Sequence, residues 1–306
     1  MTRFDIKILG CGSAMPTTLH NPSSQLVNAN EKLFMIDCGE GTQLQMRKFK
    51  TRISKLHSIF ISHIHGDHIL GLPGLISTLN ILGRKMDLNI YVYKHKEIEP
   101  LLAPAFDFFC RQLAFKVHFF PLNADAFEQI YENKSLRVYS FPLKHRIPTC
   151  GFLFEEKESL RHIKREMIDF YQIPIKQIKE IKSGADFVTP DGRVIPNGIL
   201  TFPAKPPRRY AYCSDTAYCP DIIPYIEGVD ALYHEATFAE SEAIRAQQTF
   251  HSTARQAAKI AKAANVKQLI LGHFSSRYTE LDDLLHEARS VFPNTLLAYE
   301  GMDIVL

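Results

Sequence analysis

Residues 59–68 read Ile59-Phe60-Ile61-Ser62-His63-Ile64-His65-Gly66-Asp67-His68, an apolar run followed directly by a polar loop. The apolar run has the length of a short buried strand, and the loop holds three histidines and one aspartate within six residues. Imidazole and carboxylate groups at this density are typical ligands of zinc or a similar divalent ion. Because a loop that follows a strand presents its side chains at the edge of the sheet, the stretch predicts a metal site there.

The spacing within this loop suits more than one ion. His63 and His65 lie two residues apart, whereas Asp67 and His68 are adjacent. One loop cannot complete two coordination spheres, so further ligands must come from later in the chain. A single histidine is most often a surface or core residue with a satisfied hydrogen bond. That interpretation does not account for four ligand-type residues that follow a buried strand within six positions.

Short apolar, β-branched or aromatic runs alternate with helical stretches along the chain. Strands are predicted at residues 4–9, 33–36, 59–61, 89–93, 137–141, 210–213, 231–233, 268–271 and 304–306. Helices are predicted at residues 43–49 and 281–291. A third helix follows an N-cap at Ser252, and its alanines at positions 254, 257, 258 and 261 fall on one face. This alternation predicts a sheet covered by helices.

One segment differs from the rest of the chain in composition. Residues 155–182 are dense in charge, and they are followed by a turn at residues 189–193 and a proline-rich return at residues 203–209. Two helical stretches and a hairpin with little apolar content predict a projection from the body. An ordinary solvated helical insertion is the alternative interpretation.

Composition limits the classes to which the chain can belong. At 306 residues it forms one large domain or two small ones, and 45% apolar with 23% charged residues excludes a disordered chain. No run approaches the roughly 18 apolar residues of a membrane span, and the first residues lack an apolar signal segment. Six scattered cysteines without a Cys-x-x-Cys pair argue against a disulfide scaffold and favour a cytoplasmic protein. The net charge of +3 neither requires nor excludes an anionic partner.

The His-x-His-x-Asp-His motif resembles that of the metallo-β-lactamase superfamily, and essentially the whole chain resembles its ribonuclease Z branch, in the short form. The motifs that carry the resemblance are Leu9-Gly10-Cys11-Gly12-Ser13, Asp37-Cys38-Gly39-Glu40-Gly41-Thr42, Gly71-Leu72-Pro73-Gly74, Lys144-His145-Arg146, Ser214-Asp215-Thr216, His234-Glu235-Ala236-Thr237, His251-Ser252-Thr253 and Gly272-His273-Phe274. The first of these marks only the superfamily. The His-Glu-Ala-Thr and His-Ser-Thr stretches, in this order, are typical of the ribonuclease Z branch.

The resemblance implies a fold and a metal centre. The fold would be an α/β (α+β) four-layer αβ/βα sandwich, with residues 1–306 as one domain and residues 155–207 as an inserted flexible arm that binds tRNA. Two zinc ions per subunit are implied, with Mn2+ or another divalent ion as the alternative. His63, His65 and His145 would bind one ion. Asp67, His68 and His273 would bind the other, and Asp215 would bridge the two.

The resemblance also implies an activity. The chain would be a zinc-dependent endoribonuclease that removes the 3′ trailer from precursor tRNA, leaving a 3′-hydroxyl on the tRNA and a 5′-phosphate on the trailer. Two metals would activate the attacking water, and Asp67 would also orient it. His251 would protonate the leaving 3′ oxygen, with Glu235 holding its imidazole. A homodimer is implied, in which one subunit's arm holds tRNA for the other's site, and no membrane partner is expected.

The chain departs from the family pattern in two places. The arm lacks the family's Gly-Pro pair, and the loop from Pro16 to Asn21 lacks two basic residues. These departures bear on how tRNA is gripped and leave the metal ligands intact. Two other classes stay open: a hydrolase of small phosphodiesters or thioesters, and a non-catalytic RNA-binding protein. Cleavage after the discriminator base and cleavage after an encoded CCA are both compatible with the motifs.

Overall fold

The computed structural model describes residues 3–110 and 112–306. The strands in these ranges are β1 (Phe4–Gly10), β2 (Ser24–Ala29), β3 (Lys32–Cys38), β4 (Leu56–Phe60), β5 (Leu88–Val92), β6 (Val117–Pro121), β7 (Glu128–Glu132), β8 (Leu136–Leu143), β9 (Thr149–Glu156), β10 (His162–Ile163), β11 (Phe187–Val188), β12 (Val194–Ile195), β13 (Thr201–Phe202), β14 (Arg209–Cys213), β15 (Ala231–Glu235), β16 (Leu269–Gly272), β17 (Thr295–Leu297) and β18 (Asp303–Val305).

Helices connect or cover these strands. The α-helices are α1 (Thr42–Lys48), α2 (Gly66–Ile69), α3 (Leu72–Ile81), α4 (His95–Cys110), α5 (Arg165–Tyr171), α6 (Ile175–Lys182), α7 (Asn197–Leu200), α8 (Ile223–Ile226), α9 (Ala243–Thr249), α10 (Ala254–Ala263) and α11 (Asp282–Arg289). Short 3-10 helices lie at Ile53–Lys55, Pro220–Ile222 and Glu240–Glu242. Across the described ranges, no helix combines the length and the apolar character that crossing a bilayer requires.

Two seven-stranded sheets form the body. The first has the strand order β18-β1-β2-β3-β4-β5-β6, and the second has the order β17-β16-β15-β14-β9-β8-β7. In the first sheet the pairs from β3 to β6 are parallel and those from β18 to β3 are antiparallel. In the second sheet the pairs from β17 to β14 are parallel and those from β14 to β7 are antiparallel. Each sheet therefore has a parallel half, whose strands end at a common edge.

The sheets pack face to face with helices on their outer faces. In β3, Phe34 joins the apolar core between the sheets, where its ring lies 6.2 Å from that of Phe154 in β9. Its neighbour Met35 points the other way and packs with residues of α3, as the two-residue period of a strand requires. On the second sheet, α10 contacts β15 and β16 and buries its alanines at positions 254, 257, 258 and 261. This arrangement confirms the predicted four-layer αβ/βα sandwich.

The predicted strands are present, but the cap of the alanine-rich helix was assigned wrongly. Thr253, not Ser252, is the N-cap of α10. The Thr253 hydroxyl accepts a hydrogen bond from the backbone of Gln256 at 3.2 Å, and the Gln256 side chain accepts one from the backbone of Thr253 at 3.0 Å. This reciprocal pair is a capping box. The Ser252 hydroxyl donates instead to the carbonyl of Thr216, at 2.7 Å.

The segment between β9 and β14 has its own secondary structure. It contains α5, α6 and α7 and two small antiparallel sheets, β10 with β13 and β11 with β12. Although its sequence is rich in charge, it buries a small apolar cluster of its own, formed by Ile173, Ile181, Phe187 and Leu200. At its base the Arg208 guanidinium lies 2.6 Å from the carboxylate of Glu156. The segment is thus a compact unit that leaves and re-enters the sheet through neighbouring strands.

Candidate metal centre

Polar side chains follow the carboxyl ends of strands in both sheets and meet at one edge of the sandwich. His63 follows β4, His145 follows β8, Asp215 follows β14 and His273 follows β16. The two sheets are joined at this edge, because the hydroxyl of Ser62 donates to that of Ser214 at 3.1 Å. All seven residues predicted from sequence as metal ligands therefore lie in one place, here called the seven-residue centre.

Three histidines form one side of this centre. Nε2 of His63 lies 3.0 Å from Nδ1 of His65, and Nε2 of His145 lies 3.4 Å from the same atom. Oδ2 of Asp215 lies 3.6 Å from Nε2 of His63 and 3.8 Å from Nε2 of His145. Three imidazole nitrogens and one carboxylate oxygen thus converge on a common point, as the ligands of one divalent ion would.

The other side is formed by Asp67, His68 and His273. Oδ2 of Asp67 lies 3.4 Å from Nε2 of His68 and 3.6 Å from Nε2 of His273. Oδ1 of Asp215 lies 3.4 Å from Nε2 of His68 and 3.0 Å from Nε2 of His273. The Asp215 carboxylate therefore faces one set of residues with each of its oxygens.

The electrostatics of the centre favour a bound cation. Nε2 of His68 and Nε2 of His273 are buried and have no hydrogen-bond partner among the described residues, although both point at carboxylate oxygens. Burial lowers the pKa of His63, which keeps its imidazole neutral and its lone pair available. Burial opposes ionisation of Asp215, but the charges of His273 and His68 lower its pKa far below the usual value. Unpaired imidazole nitrogens facing ionised carboxylates fit a divalent metal ion.

Asp37 orients part of this centre, a role that the sequence interpretation missed. Its Oδ2 lies 2.8 Å from Nδ1 of His68 and accepts hydrogen bonds from the hydroxyls of Ser62 at 2.9 Å and Tyr212 at 2.8 Å. Holding Nδ1 turns Nε2 of His68 toward the centre. Asp37 has a φ of 55°, a left-handed conformation that few non-glycine residues adopt. The Asp37-Cys38-Gly39 motif, which follows a predicted strand, was the sequence feature that could have indicated this role.

Two further contacts orient histidines of the centre. Oγ1 of Thr237 lies 3.0 Å from Nδ1 of His273, whose backbone also has a left-handed φ of 57°. Nδ1 of His145 lies 2.9 Å from the carbonyl oxygen of Phe250. In each case the nitrogen away from the centre is held, so that Nε2 faces inward. The loop after α9 and the loop after β15 thus each hold one histidine of the centre in orientation.

Glu235 and His251 form a pair beside the centre. Nδ1 of His251 lies 2.8 Å from Oε1 of Glu235, and the two imidazole rings of His251 and His273 stack with centroids 5.5 Å apart. The adjacent His234 takes no part: it is buried, and its Nδ1 lies 2.7 Å from the carbonyl of Glu235. The predicted pair is therefore brought together at the centre, and His234 is a structural neighbour.

An open cleft of about 490 Å³ leads to the centre. Its walls include Ser13, Ala14, Pro16, Glu40, Leu70, Arg146 and Thr249 beside the centre's own residues. The backbone N–H of Ala14 donates to Oδ2 of Asp67 at 2.8 Å, so the loop after β1 touches the centre directly. An extended substrate can therefore reach the ligand groups from outside.

Two family models match parts of the chain, and curated relatives match nearly its whole length. Residues 4–161 match the family model described as anti-Pycsar protein Apyc1, and residues 198–274 match that of the beta-lactamase superfamily domain. The protein named ribonuclease Z of Parabacteroides distasonis is 59% identical over 302 residues, covering 99% of each chain. That of Bacteroides thetaiotaomicron is 55% identical over 306 residues, covering 100% of this chain and 96% of the other.

Solved structures share the fold at low sequence identity. The short form of human tRNase Z superposes with a TM-score of 0.70 at 23% identity, over 98% of both chains. A diphosphatase of the PhnP family superposes with a TM-score of 0.64 at 18% identity, over 100% of this chain and 98% of the other. These two structures support the four-layer fold, which is common to proteins with different substrates.

Proposed function

From the premise that the chain belongs to the ribonuclease Z family, we propose that it is the endonuclease that removes the 3′ trailer from precursor tRNA. The products would be a tRNA with a 3′-hydroxyl and a trailer with a 5′-phosphate. Identity above half over nearly the full length of the relatives supports this assignment. The motifs of the ribonuclease Z branch, with Glu235 and His251 among them, support it independently.

One observation carries the proposal: the Asp215 carboxylate faces two sets of ligand groups with its two oxygens. We assign His63, His65 and His145 to one divalent ion and Asp67, His68 and His273 to a second, with Asp215 shared. Histidine nitrogen and carboxylate oxygen suit zinc, and Mn2+ is the alternative. When bound, the two ions would supply Lewis acidity that activates water and neutralises charge on the phosphoryl oxygens.

Asp67 has a second task in this proposal, which is to orient the attacking water. Burial opposes its ionisation, but the charge of His68 and the close approach of the His273 and His68 imidazoles lower its pKa far below the usual value. The N–H of Ala14 also holds Oδ2 in place. An ionised carboxylate that is fixed from three directions can accept a hydrogen bond from water in a constant orientation.

His251 is placed to protonate the leaving oxygen. Burial disfavours its charged form, but the charge of Glu235 and the hydrogen bond between the two raise its pKa to about 9. The imidazole is therefore protonated at neutral pH, and it lies at the wall of the cleft. A ribose 3′ alkoxide is a poor leaving group, so a positioned proton donor is expected to matter for RNA.

The segment between β9 and β14 is proposed as an arm that binds tRNA away from the cut. Its surface carries many lysines and arginines, and its aromatic side chains Phe170 and Phe202 are 75% and 56% exposed. Cations that contact phosphates supply most of the sequence-independent affinity for nucleic acid. Because the arm lacks the family's Gly-Pro pair, we assign the grip to its charged surface as a whole.

A homodimer and a cytoplasmic location complete the proposal. Exposed apolar side chains on neighbouring helices, Ile81 in α3 and Leu101 in α4, support a protein contact surface there. All six cysteines are unpaired thiols, which suits a reducing compartment. The dimer would let the arm of one subunit hold tRNA for the centre of the other.

The deciding experiment incubates the purified protein with defined precursor tRNAs, with and without an encoded CCA, and maps the cut to the nucleotide. We expect one cut at the 3′ end of the acceptor stem that depends on added divalent metal. A chromogenic phosphodiester is tested alongside. Turnover of the small ester without cleavage of any precursor tRNA would contradict the proposal and favour a small-molecule phosphodiesterase. Metal binding without turnover of either substrate would favour a non-catalytic RNA-binding protein.

A further inference from the structure

A second group of metal-ligating side chains lies apart from the seven-residue centre. It consists of Cys11, just after β1, His20, at the end of the following loop, and Glu300, between β17 and β18, and is called here the Cys–His–Glu cluster. Cys11 is completely buried, and the side chains of His20 and Glu300 are 20% and 10% exposed. The cluster shares no residue with the seven-residue centre, and the proposed reaction does not use it.

The distances within the cluster match a metal coordination sphere. Sγ of Cys11 lies 3.5 Å from Nδ1 of His20 and 3.7 Å from Oε1 of Glu300, and Nδ1 of His20 lies 3.1 Å from Oε2 of Glu300. Zinc bonds of about 2.3 Å to sulfur and about 2.0–2.1 Å to nitrogen or oxygen, at tetrahedral angles, separate ligand atoms by about 3.3–3.6 Å. The separation of Sγ and Nδ1 fits one edge of such a tetrahedron, and the Glu300 carboxylate approaches Sγ with Oε1 and Nδ1 with Oε2.

Hydrogen bonding alone does not select a single arrangement of protons in this cluster. Nδ1 of His20 faces both Sγ of Cys11 and Oε2 of Glu300, yet it carries at most one hydrogen. The single thiol hydrogen of Cys11 has three neighbours to choose from, which are His20, Glu300 and the carbonyl of Ala298 at 3.5 Å. The Cys11 sulfur, the His20 nitrogen and the Glu300 carboxylate surround the same small volume.

The charge state of the cluster also suits a cation. Burial opposes ionisation of Glu300, but hydrogen bonds with His20 and with the N–H of Asn21 lower its pKa. Burial, together with the charge of Glu300, raises the pKa of the Cys11 thiol well above the usual value. A bound divalent ion would replace the thiol proton and offset the negative charge of both groups.

We propose that the Cys–His–Glu cluster is a third metal site, which binds one thiophilic divalent cation such as zinc. The ligand atoms are Sγ of Cys11, Nδ1 of His20 and a carboxylate oxygen of Glu300. Binding breaks the S–H bond of Cys11 and releases that proton to solvent, so that the thiolate carries the new bond to the metal. The fourth position remains for water, on the partly exposed side of His20.

The proposed metal site would stabilise the loop between Cys11 and His20. Cys11 and His20 lie at the two ends of the loop between them, and this loop reaches the seven-residue centre through the N–H of Ala14 on Asp67. The N–H of Ser13 also donates to the carbonyl of Phe274, next to His273, at 3.0 Å. An ion that ties both ends of the loop to Glu300 would hold this wall of the cleft in place without contacting the reacting groups.

Cobalt tests the site without RNA, so the result does not depend on the proposed function. The metal-free protein is titrated with Co2+, and the sulfur-to-cobalt charge-transfer absorption is followed. The seven-residue centre contains only histidine and aspartate, so this absorption reports a cysteine ligand. We expect it to appear in the native protein, to be lost in Cys11→Ser and to persist in Cys110→Ser. Cys110 is the matched control, since it is partly exposed and the most accessible to adventitious cobalt.

Two further measurements complete the test. Zinc content is expected to be one ion per chain lower in Cys11→Ser than in the native protein. Glu300→Gln removes a charge without creating a cavity, and it should weaken cobalt binding by about tenfold or more. If Cys11→Ser does not fold, this variant tests the third metal site in its place. Absence of the absorption in the native protein, or its persistence in Cys11→Ser, would overturn the third site. Loss of the absorption in Cys110→Ser would assign it to adventitious cobalt.

Discussion

Oε1 of Glu235 lies 2.8 Å from Nδ1 of His251, and the carboxylate that makes this contact is completely buried. Its oxygens also accept hydrogen bonds from the backbone of Thr216 at 2.9 Å and from the hydroxyl of Thr237 at 2.6 Å. Burial opposes ionisation of Glu235, but the charge of His251 and the hydrogen bond with it lower its pKa. The pair therefore holds a proton on an imidazole at the wall of the cleft.

The first prediction concerns the leaving group. His251→Ala should lower precursor-tRNA cleavage by about 10²–10⁴-fold and affect an activated aryl phosphodiester far less, because a nitrophenolate leaves without protonation. Glu235→Ala should give a similar but smaller loss. The double variant should be little worse than His251→Ala, since groups that act as one unit are not additive. Single-turnover rates on both substrates provide the measurement.

Exposed His286 in α11 supplies the matched control, and His286→Ala should leave both rates unchanged. Bound metal is measured in every variant and should not change. If His251→Ala lost metal, or slowed both substrates equally, the residue would be a ligand or a scaffold element rather than the proton donor.

The second prediction is a pH dependence. Since the pKa of His251 is raised to about 9, its protonated form persists at neutral pH, and RNA cleavage should fall as the pH rises through that value. Glu235→Gln removes the negative charge that raises this pKa, so the alkaline limb should move to lower pH. Rate–pH profiles on RNA and on the aryl ester are compared, with circular dichroism as a check on folding. An alkaline limb that does not move in Glu235→Gln would rule out this coupling.

The third prediction concerns the shared carboxylate. Asp215→Ala should be the most damaging single ligand replacement, because it removes an oxygen from both proposed coordination spheres. We expect metal content to fall from two ions to one or fewer per seven-residue centre, measured in a Cys11→Ser background to exclude the third site. Asp221→Ala, an exposed aspartate beyond the same strand, is the control. Retention of two ions with near-normal activity would show that Asp215 does not bridge.

The fourth prediction tests orientation by Asp37. Asp37→Asn should weaken metal binding at the seven-residue centre by about 10–100-fold, because Nδ1 of His68 loses its carboxylate partner. Asp5, another buried carboxylate in the first sheet, is bonded to Arg3 and Asn28, and Asp5→Asn provides the control. Both variants should lose some stability, but only Asp37→Asn should lose metal affinity. Equal metal affinity in the two variants would make the role of Asp37 purely structural.

The fifth prediction concerns the arm. Replacing residues 157–207 by a short linker keeps the Glu156–Arg208 ion pair at its base. The deletion should raise KM for precursor tRNA and spare hydrolysis of the small ester. The slope of log affinity against log salt should also shrink by about one for each phosphate that the arm no longer neutralises. Equal impairment on both substrates would mean that the arm supports the body of the protein instead.

Local sequence was sufficient for the parts of the centre that are close along the chain. Four ligand groups within six residues behind an apolar run can only lie together, because the loop is too short to separate them. His145, Asp215 and His273 were reached through the family resemblance, supported by the apolar strands before them. The tendency of a stretch to form a strand is a local property of its residues. The positions of the strands along the chain could therefore also be predicted.

Tertiary structure decided the roles that depend on residues far apart in the chain. Asp37 touches His68 and Tyr212 because β3, β4 and β14 come from two sheets that pack face to face, and no local pattern encodes that packing. Ser252 does not cap α10, because its hydroxyl donates to the carbonyl of Thr216, 36 positions earlier in the chain. Glu300 meets Cys11 across 289 positions of sequence because β18 pairs with β1, so only the folded sheet could reveal that cluster.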